Sequence, residues 1–512
     1  MTRHKIPSLS ELQLRRLTED IAFALKPGDT VALEGDLGAG KTTFARSLIR
    51  ALAGRDDIEI PSPTFTLVQS YETVRFEVAH FDLYRLSAPE ELRELGLDHA
   101  LNRGIAVIEW PERAADNLAS ERLTVRFSET GGPDTRDIEL EGTGAFGPRL
   151  DRLMEIRAFL AKAGWGGETA RLSYLQGDAS PRRYARLKKD GVSRILMDSP
   201  RQPDGPPVRD GKPYSQIAHL AEDVNAFAAV DLDLKRSGFS VPDITHLDLE
   251  HGLLLIDDFG DRVFGAEVAR GRDQEQLWRA GTDTLVALYH HVPPPVIALP
   301  GGSHHKVPPL DTGALQIETE LLIDWYWPAQ FGSPVPQDIA NEFQALWAPV
   351  FARVLRSPKH WVLRDYHSPN LIHLPDRLSP QNVGLIDFQD AMQGPAAYDL
   401  VSLLQDARLD VPVALEDKLL NHYLARVSTE DPSFDAAEFR FVYAALGAQR
   451  NTKIAGIFAR LAKRDGKRQY LAHLPRIWGY LARDLAHAEL APLRAGYDRH
   501  LPDRIRSRAL AV

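Results

Sequence analysis

Apolar residues over the first 140 positions recur with the mixed helix and strand periods of an α/β domain. Ser10 precedes an apolar-periodic stretch that predicts a helix ending at about residue 25. A short apolar strand at 30–33 leads through a glycine-rich turn into an amphipathic helix at 42–52. Further apolar runs predict strands at 65–71, 75–81, 105–109, 123–127 and 138–140.

The pattern changes at residues 142–148, a glycine-rich stretch (GTGAFGP) that predicts a domain boundary after residue 147. A helix and short strands follow, and helical periodicity dominates from Ser215. A small β-rich lobe at about 165–260 before a larger helical lobe at about 261–512 is a kinase-like order. Strands are expected near 172–175, 184–187, 194–197, 246–249 and 253–256, and proline-rich loops at 199–213 and 293–309.

Composition narrows the class of protein. The 512 residues are 44% hydrophobic and 26% charged, as in ordinary globular domains. The absence of cysteine excludes disulfides, thiolate zinc sites and cysteine nucleophiles, and it favours a reducing compartment. We find neither a signal-peptide core at the N-terminus nor a run of about 20 apolar residues. The sequence therefore predicts a cytoplasmic protein with no membrane association.

Charge argues against direct binding of nucleic acid. The net charge is −10, and residues 1–150 hold 18 Lys and Arg against 25 Asp and Glu. The remaining residues hold 43 against 46, so neither part is basic. If the protein acts in an RNA pathway, we expect its partners to hold the RNA.

A phosphate-binding motif follows the first predicted strand. Residues 35–42, GDLGAGKT, fit G-x-x-x-x-G-K-[ST] between a strand and a helix. The glycines allow backbone N–H groups to surround the phosphates of ATP, while Lys41 reaches the β- and γ-phosphates and Thr42 ligates Mg²⁺. The expected nucleotide-binding residues are Gly35, Asp36, Gly38, Ala39, Gly40, Lys41, Thr42 and Thr43.

Two acidic residues end neighbouring predicted strands. Asp82 follows the apolar run VAHF, and Glu109 follows IAVI. Carboxylates at these ends are suited to hold the Mg²⁺ shell and to position the attacking water. We therefore expect one acid in each role.

The N-terminal part resembles TsaE, the ATPase family of bacterial tRNA threonylcarbamoyladenosine (t6A) synthesis. The resemblance rests on EGDLGAGKTTFAR, PSPTFTLVQSYE, HFDLYRL, ELGL and IEWPE, which occur in the family's order. It implies ATP hydrolysis in a complex with TsaD and TsaB, with Thr42 and Asp82 on Mg²⁺ and Glu109 in catalysis. It also implies that Thr64 senses the γ-phosphate. His80 and Trp110 either flank the site or pack in the core.

A second phosphoryl-transfer motif lies at residues 363–370, LRDYHSPN, which fit R-D-x-x-x-x-N. A later apolar strand ends in Asp387 and Phe388. In such sites the first acid accepts the proton of the attacking hydroxyl, while an Asn and a second Asp hold the metal ions. These roles predict Asp365 as the base and Asn370 and Asp387 as metal ligands.

Residues 365–400, DYHSPNLI through GLIDFQDAMQGPAAYDL, resemble the aminoglycoside, choline and homoserine kinase superfamily. Gln389 replaces the glycine of the protein-kinase D-F-G motif, and no A-P-E segment follows. The resemblance implies a bilobal fold in which Asp399 braces the catalytic loop. The expected fold class is an α/β P-loop NTPase domain (1–147) followed by a bilobal protein-kinase-like α+β domain (148–512).

The small lobe departs from the kinase pattern. GDASPRRY at 177–184 predicts a phosphate-covering hairpin with Gly177, Ser180 and Arg183 near the nucleotide. The following strand, RILMD, lacks the lysine that pairs with the α- and β-phosphates. Arg183 or another basic residue is expected to replace it, and LLLIDDFGD at 253–261 is expected to be the hinge that takes adenine.

Several segments over about residues 155–500 resemble the amino-sugar 1-kinases of cell-wall recycling. They are GDASPRRYARL, RILMDSP, GFSVPDI, LLLIDDFGD and the 363–400 block. The resemblance implies ATP-dependent phosphorylation of the anomeric hydroxyl of N-acetylmuramate or N-acetylglucosamine. An anomeric hydroxyl is more acidic than an ordinary alcohol, which suits a carboxylate base. The aromatic residues at 325–327 either stack on a sugar or pack in the core.

Two other hypotheses remain open on sequence alone. The acceptor could be an aminoglycoside, a choline-like amine or another hydroxyl compound. Either half could instead be a nucleotide-dependent interaction module, and the missing lysine keeps that alternative open for the kinase half.

Overall fold

The computed structural model describes residues 1–86, 91–129, 135–175 and 182–510. The strands are β1 Thr2–Leu9, β2 Thr30–Glu34, β3 Val68–Glu72, β4 Glu77–Asp82, β5 Gly104–Glu109, β6 Leu123–Glu129, β7 Arg136–Gly142, β8 Arg171–Leu175, β9 Arg183–Lys189, β10 Val192–Asp198, β11 Pro207–Arg209, β12 Lys212–Pro213, β13 Ile244–Asp248, β14 Leu253–Asp257, β15 Val296–Ala298, β16 His304–Lys306, β17 His360–Val362, β18 Leu371–His373, β19 Val383–Leu385 and β20 Met392–Gly394.

The α-helices are α1 Glu11–Ala24, α2 Lys41–Ala53, α3 Glu91–Glu94, α4 Leu97–Arg103, α5 Phe146–Lys162, α6 Tyr214–Ile217, α7 Asn225–Arg236, α8 Phe264–Ala269, α9 Gln274–Tyr289, α10 Thr312–Leu321, α11 Trp327–Phe331, α12 Gln337–Val354, α13 Ala397–Leu404, α14 Val413–Glu430, α15 Ala436–Asp465, α16 Leu474–Leu485, α17 Ala491–His500 and α18 Asp503–Arg506. Short 3₁₀ turns lie at Pro111–Asn117, Ser368–Asn370, Arg468–His473 and Ala488–Leu490, and Leu322–Tyr326 is a π-helical turn. In the described part of the chain, no helix is both long and apolar enough to cross a membrane.

The chain divides into two compact units. One comprises Met1–Pro200 with Ile244–Asp258, and the other Arg201–Asp243 with Phe259–Val512. The first unit joins the P-loop domain to the small-lobe sheet. The chain passes from the first unit to the second between Asp258 and Phe259, inside the segment 253–261 that was predicted as the hinge.

The P-loop domain is built on a seven-stranded sheet of order β1-β7-β6-β2-β5-β4-β3. Strands β2, β4, β5 and β6 are parallel, so the carboxyl ends of β2, β4 and β5 lie on the same side of the sheet. Ser10 caps α1 in a capping box with Gln13, as the sequence predicts. This α/β architecture confirms the predicted fold class of the N-terminal part.

Strand β1 is an addition that the hydrophobic pattern does not predict. Its sequence TRHKIPSL is mostly polar, and it pairs antiparallel with β7 at the edge of the sheet. An edge strand buries only part of its surface, so its apolar signal is weak.

The small lobe is a five-stranded sheet of order β13-β14-β10-β9-β8, preceded by α5. The predicted boundary after residue 147 falls inside the first turn of α5, whose buried face continues into the small-lobe core. Phe23 of α1 is 3% exposed and belongs to the same hydrophobic cluster as Leu160 of α5 and Leu172 of β8. The P-loop domain therefore shares a core with the small lobe.

Polar contacts reinforce this shared core. Glu19 of α1 accepts a hydrogen bond from the Leu172 backbone N–H at 2.7 Å and pairs with Arg171. Arg16 donates to the carbonyl oxygen of Ala170 at 2.6 Å. Burial raises the pKa of Glu19, and the hydrogen bonds from Leu172 and Arg171 oppose that shift. An isolated carboxylate here would be costly, so the contact depends on its partners.

Replacing Phe23 by Ala is expected to destabilise both parts of the first unit. Removing a buried phenyl group costs about 3–5 kcal/mol, including the cavity that it leaves. Urea unfolding would show this loss, and hydrogen exchange would show faster opening of α1 and of β8. Phe65→Ala removes a ring that is 83% exposed and is the matched control. Unchanged protection of β8 in Phe23→Ala would contradict a shared core.

The second unit is mainly helical. The 30-residue helix α15 packs on α10, α13 and α16. The proline-rich stretch at 199–213, expected to be a loop, contains the short hairpin β11–β12, and the stretch at 293–309 contains β15–β16. A small β-rich lobe and a larger helical lobe confirm the kinase-like fold class.

Candidate functional site

The P-loop connects β2 to α2. Gly40 adopts a left-handed conformation with φ 106° at the N-terminus of α2, which glycine accommodates without strain. The ammonium group of Lys41 donates to the carbonyl oxygens of Gly35 at 2.6 Å and Asp36 at 2.8 Å. Of the other predicted residues, Ala39 is buried, whereas Asp36, Gly38 and Thr43 are exposed.

The two predicted acids meet at the edge of the sheet. Asp82 of β4 and Glu109 of β5 are direct neighbours in the parallel register. One oxygen of Glu109 accepts the Thr42 hydroxyl at 2.8 Å, and the other lies 2.9 Å from Nε2 of His80. Glu109 is thus linked to the P-loop through Thr42 and oriented by a buried histidine.

The predicted sensor loop contacts the other acid. The Thr64 hydroxyl donates to Asp82 at 2.8 Å, and the Ser62 hydroxyl lies 2.7 Å from that of Thr64. Trp110 places its ring centroid 3.6 Å from the Lys41 ammonium group. Burial lowers the pKa of Lys41, although nearby acids including Glu109 oppose that shift.

The predicted base and metal ligands of the second site lie in the helical unit. Asn370 donates through Nδ2 to the backbone carbonyl of Asp365 at 3.0 Å, and the same atom lies 3.4 Å from the Asp387 carboxylate. Gln389 donates to the other Asp387 oxygen at 3.0 Å. The predicted base and metal ligands therefore lie together.

Asp399 braces the catalytic loop, as the sequence predicts. Its two carboxylate oxygens accept the backbone N–H groups of Leu363 at 2.6 Å and Arg364 at 2.9 Å. Arg364 has φ 71°, a conformation that a non-glycine residue holds only when its surroundings enforce it. Burial raises the pKa of Asp399 to about 7 against the opposing hydrogen bonds.

Asp365 remains accessible and ionisable. Its side chain is 38% exposed, which leaves the carboxylate open to a substrate. Partial burial raises the pKa of Asp365, but positive charges that include Lys453 and Arg364 outweigh burial and hold it below its ordinary value. The carboxylate is therefore in its basic form at neutral pH.

Glu318 of α10 binds two of these cations and was not predicted from sequence. Lys453 of α15 donates to it at 2.7 Å, Gln449 donates at 2.9 Å, and Arg364 forms an ion pair with it. Burial would raise the pKa of Glu318, but Lys453 and Arg364 bring it to about 2. No motif marks Glu318, Gln449 or Lys453, because they lie on two helices that are distant in sequence.

Glu318→Gln is expected to cost about 3–5 kcal/mol at pH 7, because it leaves two buried cations without their counter-ion. The carboxylate stabilises the fold above its unfolded pKa of about 4.5 and loses that contribution as pH falls through about 2. The penalty should therefore shrink by about 2 kcal/mol between pH 4.5 and pH 3. Urea unfolding across this range is the measurement.

Glu342→Gln is the control, because Glu342 pairs with Arg499 at a site where that arginine is 61% exposed. Such surface pairs contribute about 1 kcal/mol or less. A penalty for Glu318→Gln that stays constant from pH 7 to pH 3 would contradict the role of its charge.

Arg183, the predicted substitute for the missing lysine, lies at the start of β9 in the small-lobe sheet. It pairs with Asp198, its neighbour in the β9–β10 register, and its guanidinium lies over the ring of Phe23 in the shared core. Arg186 projects from the opposite face of β9 and pairs with Asp258 at 2.7 Å. Gly177 and Ser180 lie outside the described residues.

The aromatic residues at 325–327 pack mainly in the interior. Tyr326 and Trp327 are buried, and Tyr326 contacts Trp478 edge-on at 5.2 Å. Trp325 is half-buried. Core packing thus accounts for two of the three.

Comparison with known proteins identifies relatives of both parts. The family described as "Threonylcarbamoyl adenosine biosynthesis protein TsaE" matches residues 8–138, and "Phosphotransferase enzyme family" matches residues 171–442. An N-acetylmuramate/N-acetylglucosamine kinase of Caulobacter vibrioides is 36% identical over 360 residues, covering 67% of this chain and 95% of the relative.

The same kinase from Pseudomonas aeruginosa is 32% identical over 336 residues, covering 64% of this chain and 89% of the relative. A tRNA threonylcarbamoyladenosine biosynthesis protein TsaE of Rickettsia typhi is 47% identical over 103 residues, covering 20% of this chain and 71% of the relative. The two family models match separate parts of the chain.

Proposed function

The chain belongs to the phosphotransferase enzyme family and, in its N-terminal part, to the TsaE family, and from this premise we propose that it is bifunctional. The kinase half phosphorylates the anomeric hydroxyl of N-acetylmuramate and N-acetylglucosamine with ATP, a step in cell-wall recycling. The N-terminal half is an ATPase that supports t6A modification of tRNA.

One observation carries the kinase proposal: Asp365 and Asn370, on a loop that Asp399 braces, come together with Asp387. This is the set of groups that phosphoryl transfer requires. The choice of an amino sugar is supported by the 36% identity to the Caulobacter kinase over nearly that protein's whole length.

In the proposed transfer, the Asp365 carboxylate accepts the proton of the anomeric hydroxyl. The sugar oxygen then forms a bond to the γ-phosphorus of ATP, and the bond from that phosphorus to the β,γ-bridging oxygen breaks. The products are the sugar 1-phosphate and ADP. The lowered pKa of Asp365 keeps the base ionised at neutral pH, and its exposed carboxylate allows a sugar to approach.

Both sites have donor groups that suit Mg²⁺. Asn370 uses Nδ2 toward Asp365, which leaves its amide oxygen, with the Asp387 carboxylate, as a hard oxygen pair for a cation. In the P-loop domain, the Thr42 hydroxyl and the Asp82 carboxylate would hold the ion, while Glu109 positions water. The ion would neutralise phosphate charge in each site.

For the N-terminal half, we propose that ATP hydrolysis serves a complex with TsaD- and TsaB-like proteins. The acidic composition of residues 1–150 suits contact with tRNA only through those partners. We expect both activities to operate in the cytoplasm, where ATP and tRNA are found. Co-elution of the chain with TsaD- and TsaB-like proteins in the presence of MgATP is the expected result, and persistent separation on gel filtration would refute this partnership.

Phosphorus NMR of a reaction with MgATP and N-acetylmuramate tests the kinase half. We expect a new α-1-phosphate signal with the proton–phosphorus coupling of an anomeric phosphate, and the same signal with N-acetylglucosamine. No product from either sugar, in protein shown to bind ATP in its kinase half, would reject the amino-sugar assignment. An aminoglycoside and choline are then the next acceptors to assay.

A further inference from the structure

Helix α15 carries a buried arginine beside the catalytic loop. Arg450 is 6% exposed, and its Nη1 is fully buried without a hydrogen-bond partner. Within residues 1–86, 91–129, 135–175 and 182–510, no acidic side chain forms an ion pair with it. A buried charge without a partner is costly to the folded protein, so the unpaired Nη1 of Arg450 requires an explanation.

The neighbouring cations differ in this respect. Lys453 lies three residues along the same helix face and binds Glu318, which also binds Arg364. Gln449 completes the set by donating to the second oxygen of Glu318. With Glu318 already occupied by these groups, Arg450 remains without a counter-ion.

The position of Arg450 indicates what it faces. Lys453, one turn further along α15, binds Glu318, which pairs with Arg364, the residue before Asp365 in the catalytic loop. The positive charge of Arg450 also acts on Asp365 and Asp399. The guanidinium therefore lies near the base that takes the acceptor's proton. A guanidinium donates two parallel hydrogen bonds to a carboxylate, which fixes the orientation of the bound molecule.

We infer that Arg450 binds a carboxylate on the phosphoryl acceptor and so selects an acidic amino sugar over a neutral one. The inference rests on the proposed kinase function and makes it more specific. N-acetylmuramate bears a lactyl carboxylate that N-acetylglucosamine lacks, so only the former can make this contact. Arg450 is a specificity residue, and the proton transfer remains with Asp365.

Steady-state kinetics of Arg450→Met with both sugars test this assignment. The variant keeps an unbranched apolar side chain and loses the charge. We expect KM for N-acetylmuramate to rise on the order of 10- to 100-fold, as befits a lost charge-assisted pair. For N-acetylglucosamine, kcat/KM should change by less than about threefold.

A modified substrate provides a second test, which begins with the wild-type enzyme. N-acetylmuramate with its carboxylate converted to a neutral carboxamide should lose the same factor with the wild-type enzyme. For the carboxamide, KM should be the same with Arg450→Met as with the wild-type enzyme, because the substitution and the substrate change remove the same interaction. The thermal midpoint of the ligand-free variant should be equal to or above that of the wild type, since the variant removes an unpaired buried charge.

Each other outcome has a distinct meaning. Equal losses of kcat/KM with both sugars would overturn the inference. They would indicate that Arg450 contacts the phosphates of ATP or supports the structure of the catalytic loop. Undiminished use of N-acetylmuramate by the variant would also overturn it. If the wild-type enzyme phosphorylates neither sugar, the proposed function fails together with this inference, a result that differs from a variant-specific loss.

Discussion

Asp365→Asn is expected to abolish sugar phosphorylation, lowering kcat by about 10²- to 10⁴-fold, the usual contribution of a positioned general base. The amide has the shape of the carboxylate but cannot accept the proton of the anomeric hydroxyl. Since Asp365 contributes through its side chain while its backbone carbonyl binds Asn370, the metal ligands should keep their places. KM for ATP should therefore change little.

Rates of sugar 1-phosphate formation measured by NMR would check this, with Asp376→Asn, an exposed acid, as control. Because the pKa of Asp365 lies below its ordinary value, wild-type kcat/KM should not fall on the acid side down to about pH 5. A variant within about tenfold of wild-type kcat would show that another group is the base.

Lys41→Met is expected to remove one of two nucleotide sites. The ammonium group lies at the P-loop on backbone carbonyls and is available for the β- and γ-phosphates, and its loss should weaken that site about 10²-fold. Titration calorimetry should then count two nucleotides per chain in the wild type and one in the variant.

The sugar-kinase rate of Lys41→Met should equal that of the wild type, which separates the two sites. Lys26→Met, at an exposed position, is the matched control. Two sites of unchanged affinity in Lys41→Met would contradict the role assigned to the P-loop lysine.

Local signals were sufficient to predict much of the fold. Ser10 and Gln13 form a capping box within one turn, and Gly40 precedes the helix α2 that the P-loop motif predicts. The spacing between Asp365 and Asn370 is likewise set within a single loop. Signals of this kind depend on neighbouring residues, so a single sequence contains them.

Contacts between distant segments could not be predicted in the same way. Glu109 meets Thr42 and His80 only because β5 lies between β2 and β4 in the sheet, an order that the hydrophobic pattern leaves undetermined. Glu318 and Arg450 lie on α10 and α15, where buried charged residues have no distinctive spacing. Arg183 was predicted as a phosphate ligand from its position near a hairpin, and its ion pair with Asp198 of the neighbouring strand is a contact that the sequence alone does not indicate.

The core that α1 shares with β8 has a consequence for dosage in the cell. With Phe23 buried in the small-lobe cluster, loss of the N-terminal domain would expose apolar surface on the kinase and mark it for proteolysis. A destabilising missense change in either half of this unit would therefore deplete both domains of the chain at once. The two proposed activities, the ATPase and the sugar kinase, would then be present in the cell in a fixed one-to-one ratio.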